Sequence, residues 1–265
     1  MSDATAAYPV QAYRDEAAVQ QNDLLAVEEP LELRFADGDE SHTLSVMLRT
    51  PGHDTELVTG WLSAERLSDA VERLEGSPDT PNVVTLHGDA QRLRGAARAG
   101  LTSAACGVCG AGSIERLSVQ AEAAIWTAGA LSPALILALP ERLSAAQPGF
   151  SATGGLHAAG VFTPRGELRC AFEDVGRHNA VDKVVGWAAL RGGLPLSNSI
   201  LVTSSRAGFE IVQKAALAGI PIVVTVGAAS SLAADTAGAL GLTLVGFVRS
   251  GRFNVYAGAE RVAGK

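Results

Sequence analysis

The stretch SILVTSSRAGFEIVQKAALAGIPIVVTVGAASSLAADTAGALGLTLVGF, Ser199 to Phe247, alternates two kinds of pattern. Short apolar runs from Ser199 to Thr203, Pro221 to Val226 and Leu242 to Phe247 have the length of strands and no polar face. Between them lie two helical segments: 206–218 ends at Gly219, and 231–240 starts behind Ser230 and closes at Gly241. A serine hydroxyl accepts from a free first-turn N–H, and glycine takes up the left-handed conformation past the last turn. Strands that are apolar on both faces need cover on both, which the intervening helices supply. The stretch therefore predicts an α/β sheet covered on both faces, with a further helix over 178–190 before it.

Working towards the N-terminus, Gly160 to Phe162 and Leu168 to Phe172 read as strands around the turn TPRG, Thr163 to Gly166. PALILAL, Pro133 to Leu139, opens a helix on a first-turn proline, and Ser113 to about Ala124 has helical character. The runs LELRF (Leu31 to Phe35) and TLSVML (Thr43 to Leu48) alternate with period 2 around ADGD, Ala36 to Asp39, which predicts a hairpin. PGHD, Pro51 to Asp54, leads into a helix with Leu57, Val58, Trp61 and Leu62 on one face and Asp54 as its N-cap. VVTL, Val83 to Leu86, is a short strand. Residues 1–23 show no periodicity and contain Pro9, so they read as a mobile or extended tail. Three parts result: the tail 1–23, a smaller N-terminal α+β part over 24–112, and an α/β core over 113–265.

The 265 residues are 47% hydrophobic, enough for a substantial core. A formal charge of −7 argues against a nucleic-acid partner, because that affinity needs clustered Lys and Arg. Apolar runs such as Ala134 to Leu139 are far short of the ~20 residues that span a bilayer, so no membrane partner is expected. Residues 1–23 lack a basic start and apolar core of the secretory kind, which predicts a cytoplasmic protein. Three cysteines in such a length form no disulfide framework, leaving Cys106 and Cys109 as thiols available for chemistry.

Those two stand in SAACGVCGAG, Ser103 to Gly112, at the end of the N-terminal part. Structural zinc needs four ligands, and no second knuckle or paired histidines accompany this one. A thioredoxin-like dithiol opens a helix directly after a strand, whereas Gly107, Gly110 and Gly112 make this segment a loop. The dinucleotide fingerprint fails as well, since Glu115 occupies its third glycine position. Two cysteines serving only as small packing residues would not require a glycine-rich turn. Such a loop suits a nucleophile that swings between two partners: a thiolate can accept a sulfur atom as a persulfide and deliver it by the exchange that makes and breaks disulfides.

Elsewhere, Arg249 and Arg252 just past a strand end are suited to a pyrophosphate or to a solvated loop. SSRAG, Ser204 to Gly208, either offers a helix N-terminus to an anion or simply caps the following helix, the cap being favoured by ordinary capping preference. His157, Arg177 and His178 are compatible with an acceptor pocket, but a lone histidine is more often a satisfied structural one, and none of the three is assigned to a site.

Seven blocks taken together, LLAVEEPLEL from Leu24, RTPGHD from Arg49, ACGVCG from Ala105, GGLHAAG from Gly154, EDVGRHNAVDK from Glu173, SSRAGFE from Ser204 and FVRSGRFNVY from Phe247, resemble the formate dehydrogenase accessory sulfurtransferases of the FdhD family. The resemblance covers nearly the whole chain beyond about residue 23. It implies a cytidine-deaminase-like α/β core and a homodimer. It also implies a sulfur carrier that takes sulfur from a cysteine desulfurase and passes it to the molybdenum or tungsten bis-guanine-dinucleotide cofactor, Mo-bis(molybdopterin guanine dinucleotide), a bound substrate destined for a formate dehydrogenase. By the same resemblance Cys106 is the persulfide carrier and Cys109 its companion. The guanine-dinucleotide site falls on Phe247, Val248, Arg249, Ser250, Gly251 and Arg252; no metal ligand is assigned. Two rivals remain. A zinc deaminase would need a glutamate two residues after its histidine, where His157 is followed by Ala159, and a P-C-x-x-C after that, where the cysteines precede the histidine and Ala105 replaces the proline. A non-catalytic cofactor chaperone for formate dehydrogenase, with the cysteines incidental, is compatible with every block.

Overall fold

The computed structural model describes residues 4–97, 101–102, 121 and 124–264. The cysteine loop with Cys106 and Cys109, and the segment 113–120 in which a helix is expected to begin, lie outside the described residues. The described residues form a mixed α/β structure with three sheets.

The six-stranded sheet holds the stretch quoted first. Its strands are β8 (His157–Phe162), β9 (Leu168–Asp174), β10 (Ile200–Thr203), β11 (Ile222–Thr225), β12 (Thr243–Arg249) and β13 (Arg252–Ala257), in the spatial order β13-β12-β11-β10-β8-β9. Strands β10, β11 and β12 are parallel, and β8, β9 and β13 run antiparallel to their neighbours. Alternate residues of each strand feed two separate cores. Ile200, Val202, Ile222, Val224 and Val245 pack with Ile136, Leu139 and Leu143 of helix α3 (Pro133–Ser144) on one face. Leu201, Val223 and Leu244 pack on the other face with helices α5 (Arg177–Ala189), α6 (Phe209–Leu217) and α7 (Ser231–Ala239). The sheet is covered on both faces, as its apolar strands require. Ser230 caps α7 by accepting from the Ala233 N–H at 3.2 Å.

The N-terminal part is a five-stranded sheet, in the order β5-β6-β3-β4-β7, of β3 (Glu29–Asp37), β4 (Glu40–Arg49), β5 (Val71–Ser77), β6 (Thr80–Gly88) and β7 (Leu101–Thr102). Helix α1 (Asp54–Ala64) buries Leu57, Val58, Trp61 and Leu62 in the core of this sheet, whereas the short helix α2 (Ala90–Ala96) buries Leu93 there. Asp54 is the first helical residue and not the N-cap expected of it; that place is held by His53 in the left-handed conformation, and Asp54 instead forms a two-pronged pair with Arg49 at 3.0 Å. The stretch read as a mobile or extended tail contains an antiparallel hairpin, β1 (Thr5–Arg14) and β2 (Ala17–Ala26), which is extended in conformation. Its faces are almost wholly exposed, so no alternating apolar pattern marks it, and its turn uses Asp15 and Glu16 at positive φ where glycine or asparagine would be the readable signal.

Two features join the N-terminal sheet to the core. Helices α1 and α5 cross at glycines: a Cβ on Gly60 would lie 1.9 Å from the Asp182 carbonyl oxygen, and one on Gly186 would lie 1.8 Å from that of Glu56. Beside this crossing, the fully buried Asp174 accepts from the Thr50 N–H (3.2 Å), the Gly176 N–H (2.8 Å) and the Asn179 amide (2.9 Å), and it pairs with Lys183 at 2.7 Å. Lys183 also donates to the Thr50 carbonyl, and Asn179 to that of Leu48. No described helix is long and apolar enough to cross a membrane.

Candidate functional site

Because β10, β11 and β12 are parallel, their C-terminal ends lie together, and β8, running the other way, brings its first residue to the same end. Ligands of open α/β sheets sit beyond such ends. A cleft of about 640 Å³ opens there, lined by Ser204 after β10, Val226 after β11, Val248 and Arg249 at the end of β12, and His157 at the start of β8. Its second wall comes from α3 and the turn into helix α4 (Pro148–Thr153): Glu141, Ser144, Gln147 and Phe150. Leu137 and Pro140 of α3, with Gly154, Gly155, Leu156 and Val175, complete it. The size is that of a small-molecule pocket.

Each lining residue is held by local chemistry. The Ser204 Oγ accepts from the Ala158 N–H at 2.9 Å, and the Ser204 N–H donates to the Ala158 carbonyl at 3.0 Å, prolonging the β8–β10 pairing. Ser204 is thus engaged with β8, and within SSRAG the N-cap of α6 is Gly208, without a side-chain bond. The Glu173 carboxylate accepts from the N–H groups of Gly149 (2.8 Å) and Phe150 (2.7 Å), which fixes α4 at the mouth of the cleft. Burial, then the charges of Arg177 and His178, holds the His157 imidazole below the usual histidine range against the opposing pull of Asp174, so the ring is largely neutral at pH 7. His178 itself is turned to Glu210, Nε2 to Oε2 at 2.5 Å.

The end of β12 is bent to serve the cleft. A bulge falls between Gly246 and Arg249, with Phe247 in the left-handed region at φ 55°, and bulges re-aim side chains in this way. The Arg249 guanidinium lies 5.3 Å from the Phe247 ring centre. Ser250 and Gly251, both at positive φ, form the two-residue turn to β13. That turn makes Arg249 and Arg252 direct cross-strand partners, and directly opposed residues project from the same face. Both are exposed and neither forms an ion pair among the described residues, so the hairpin end presents two free cations suited to phosphate oxygens.

Comparison with known proteins gives this geometry a context. The model of the FdhD/NarQ family matches residues 26–263. The chain belongs to that family. It is 43% identical to the sulfur carrier protein FdhD of Streptomyces avermitilis over 94% of this chain and 93% of the relative. It is 49% identical to the protein of the same name from Corynebacterium efficiens (89% and 90% covered) and 41% identical to that of Sulfurisphaera tokodaii (94% and 95% covered). The crystal structure of a protein assigned as a formate dehydrogenase accessory protein, from Desulfotalea psychrophila, shares the fold with a TM-score of 0.75 at 23% identity, over 98% of this chain and 99% of that one.

Of the residues singled out in the sequence, Val248 and Arg249 line the cleft, Phe247 supports Arg249, and Ser250, Gly251 and Arg252 form the exposed hairpin end. His157, left unassigned, lies in the cleft. Gln147 and Phe150 carry no motif and were visible to no pattern; only the fold brings them opposite Arg249. Cys106 and Cys109 are outside the described residues, and Cys170 stands on β9, where burial pushes its thiol up to about 11.

Proposed function

We propose that the protein is a cytoplasmic sulfur carrier: Cys106 accepts sulfur from a cysteine desulfurase and passes it to a molybdenum or tungsten bis-guanine-dinucleotide cofactor bound in the cleft, for delivery to a formate dehydrogenase. The observation that carries the reading is the free Arg249 lining a strand-end cleft, with Arg252 its cross-strand partner, in a family whose relatives are named sulfur carriers. The Cys106 thiolate attacks the terminal sulfur of the desulfurase persulfide; a Cys106 S–S bond forms, the donor S–S bond breaks, and the donor cysteine leaves as thiolate, with no net oxidation. Cys109 shields or resolves that persulfide. The cofactor is the substrate: on delivery the Cys106 S–S bond would break, Cys106 would leave as thiolate, and a reduced metal centre of the cofactor would supply the two electrons that bring the sulfur to the sulfide level. Arg249 and Arg252 hold its diphosphate, and the apolar wall of Leu156, Val226 and Val248 excludes water from it. A homodimer would offer two such clefts to the two nucleotide halves. The core is of cytidine-deaminase-like kind in this reading, supported by three parallel strands under helices on both faces.

The test is complementation of a strain lacking its own carrier, with formate oxidation as readout. Cys106→Ser should fold and bind GDP yet leave the dehydrogenase inactive, and Cys109→Ser should be milder. Mass spectrometry after exposure to a desulfurase should show about 32 mass units on Cys106, lost on reduction. Full activity from Cys106→Ser would establish the chaperone alternative. Arg249→Ala or Arg252→Ala should weaken GDP binding by about 1.5–3 kcal/mol, the scale of a charged hydrogen bond.

A further inference from the structure

The hairpin of β1 and β2 is bound to the rest of the chain only at its root. Its ladder is made of ten residue pairs, nearly every residue is exposed, and among the described residues no third strand joins it. A two-stranded hairpin by itself is at best marginally stable in water. At the root the Val27 N–H donates to the Ala4 carbonyl at 2.9 Å, and the Ala26 Cβ lies 3.4 Å from where Gly155 would carry one, just after α4. Directly paired residues share a face, so the face that holds Ala26 is the one whose root meets the body. The opposite face is free, and it holds the pairs Ala6–Leu25, Tyr8–Asp23, Val10–Gln21, Ala12–Val19 and Arg14–Ala17. Tyr8 is 58% exposed, Val19 47% and Leu25 40%, around the half-buried Val10 and Ala12. Two charges flank these side chains, Arg14 at the tip and Asp23 towards the root, and neither has an ion pair among the described residues. Six residues separate Arg14 from Tyr8, the partner of Asp23. That is roughly 20 Å at about 3.3 Å per residue, beyond the reach of one side chain for the other.

We propose that this face stacks on the same face of a second copy of the chain, the two hairpins running antiparallel about a two-fold axis. A surface that meets its own copy must be complementary to itself, and the placement of Arg14 and Asp23 makes it so. The antiparallel stack lays the tip of each hairpin over the root of the other, so each Arg14 meets the second copy's Asp23, while Tyr8 comes over the second copy's Ala12, large on small. Stacking tip over tip would instead set Arg14 beside Arg14 and Asp23 beside Asp23, which like-charge repulsion opposes. Tyrosine is also a residue that anchors interfaces. Ten residues a side are fewer than the about 20–30 of a standard interface, so this contact should dissociate on dilution. The inference gives a surface to the homodimer proposed above and uses none of the groups assigned to the ligand.

Size exclusion with light scattering, and sedimentation equilibrium over a dilution series, test it on the full chain. The parent should show twice the 27.2 kDa chain mass at micromolar concentration. Arg14→Asp sets a carboxylate against the second copy's Asp23 and should raise the dimer Kd at least about tenfold. Adding Asp23→Arg to the same chain should restore the parent value. Because the two positions cannot meet within one chain, that recovery reads a contact between copies. Val19→Lys should dissociate the dimer as well, whereas Gln20→Lys, the next residue on the other face, should not. All four positions are exposed, so these changes leave the fold intact. A double variant without recovery overturns the proposed face and leaves the homodimer to another surface, as does parent-like affinity in both Arg14→Asp and Val19→Lys. Equal weakening by Gln20→Lys and Val19→Lys does the same. A monomeric parent overturns both the face and the homodimer, and leaves a different protein as the cover of the hairpin.

Discussion

Replacing Gly186 with alanine tests whether the crossing of α1 and α5 holds the two sheets together. The added Cβ would sit 1.8 Å from the Glu56 carbonyl oxygen, 2.7 Å from its carbon and 2.8 Å from the Gly60 nitrogen. Ordinary contact begins near 3.4 Å, so the helices must part by about 1.6 Å, and the obstacle is backbone that cannot rotate away. Neither helix has room to retreat. Ten residues of α5 are buried, and α1 is packed into the N-terminal core. Overpacking costs about 1–3 kcal/mol, and backbone against backbone belongs at the upper end. Removing a helical glycine returns about 1 kcal/mol. The net loss is about 2 kcal/mol, or roughly 4–8 °C in Tm at this chain length. Gly238, exposed in α7 with nothing within 4 Å of its Cβ position, is the control, and Gly238→Ala should raise Tm by a few degrees. Scanning calorimetry of both variants gives the answer. A Gly186→Ala protein that melts at or above the parent would refute the close crossing as a constraint.

Lys183→Met leaves Asp174 buried and without its cation, which should cost about 3–5 kcal/mol in urea unfolding, with part regained in the double variant that adds Asp174→Asn. For His157, the folded imidazole binds its proton less tightly than the unfolded one, so its contribution to stability is present above the ordinary histidine pKa and is lost as pH falls through the window below it. His157→Gln should therefore flatten the fall in Tm between pH 7 and 5, and an unchanged slope would contradict the burial argument. Cys170, its thiol raised to about 11, should resist iodoacetamide at pH 8 in the native protein and react once unfolded, as peptide mass mapping would show.

What could be read in the sequence depended on where water lies. Strands β10, β11 and β12 are covered on both faces, so they appear as uninterrupted apolar runs between capped helices, and each is found within two residues of its predicted place. Strand β13 and strand β5 have mostly exposed or half-buried residues and left no such trace. Helix α2 buries a single leucine in seven residues, too little for a period to show. The cleft divides in the same way. Arg249 and Arg252 follow a recognisable strand and could be named, whereas Gln147, in the turn between α3 and α4, and Phe150, within α4, are distant in sequence, and only the packing of α3 on the sheet sets them across from Arg249.

The blocks that carried the family resemblance do different physical work. RTPGHD places Arg49, almost wholly buried, between Asp54, Asn82 and Glu29, and sends Thr50 to Asp174. EDVGRHNAVDK answers from the other side with Asp174, Asn179 and Lys183. The charged groups of this joint are neutralised by one another, which unfits them for chemistry on a ligand and suits them to fix one element against another. The cationic end of FVRSGR is unpaired and exposed, and the first residues of GGLHAAG and SSRAGFE stand with it on one strand end. A residue's partners, more than its type, thus separate the joint from the site: Arg49 and Arg249 are the same amino acid, and only the second is left free to meet a phosphate.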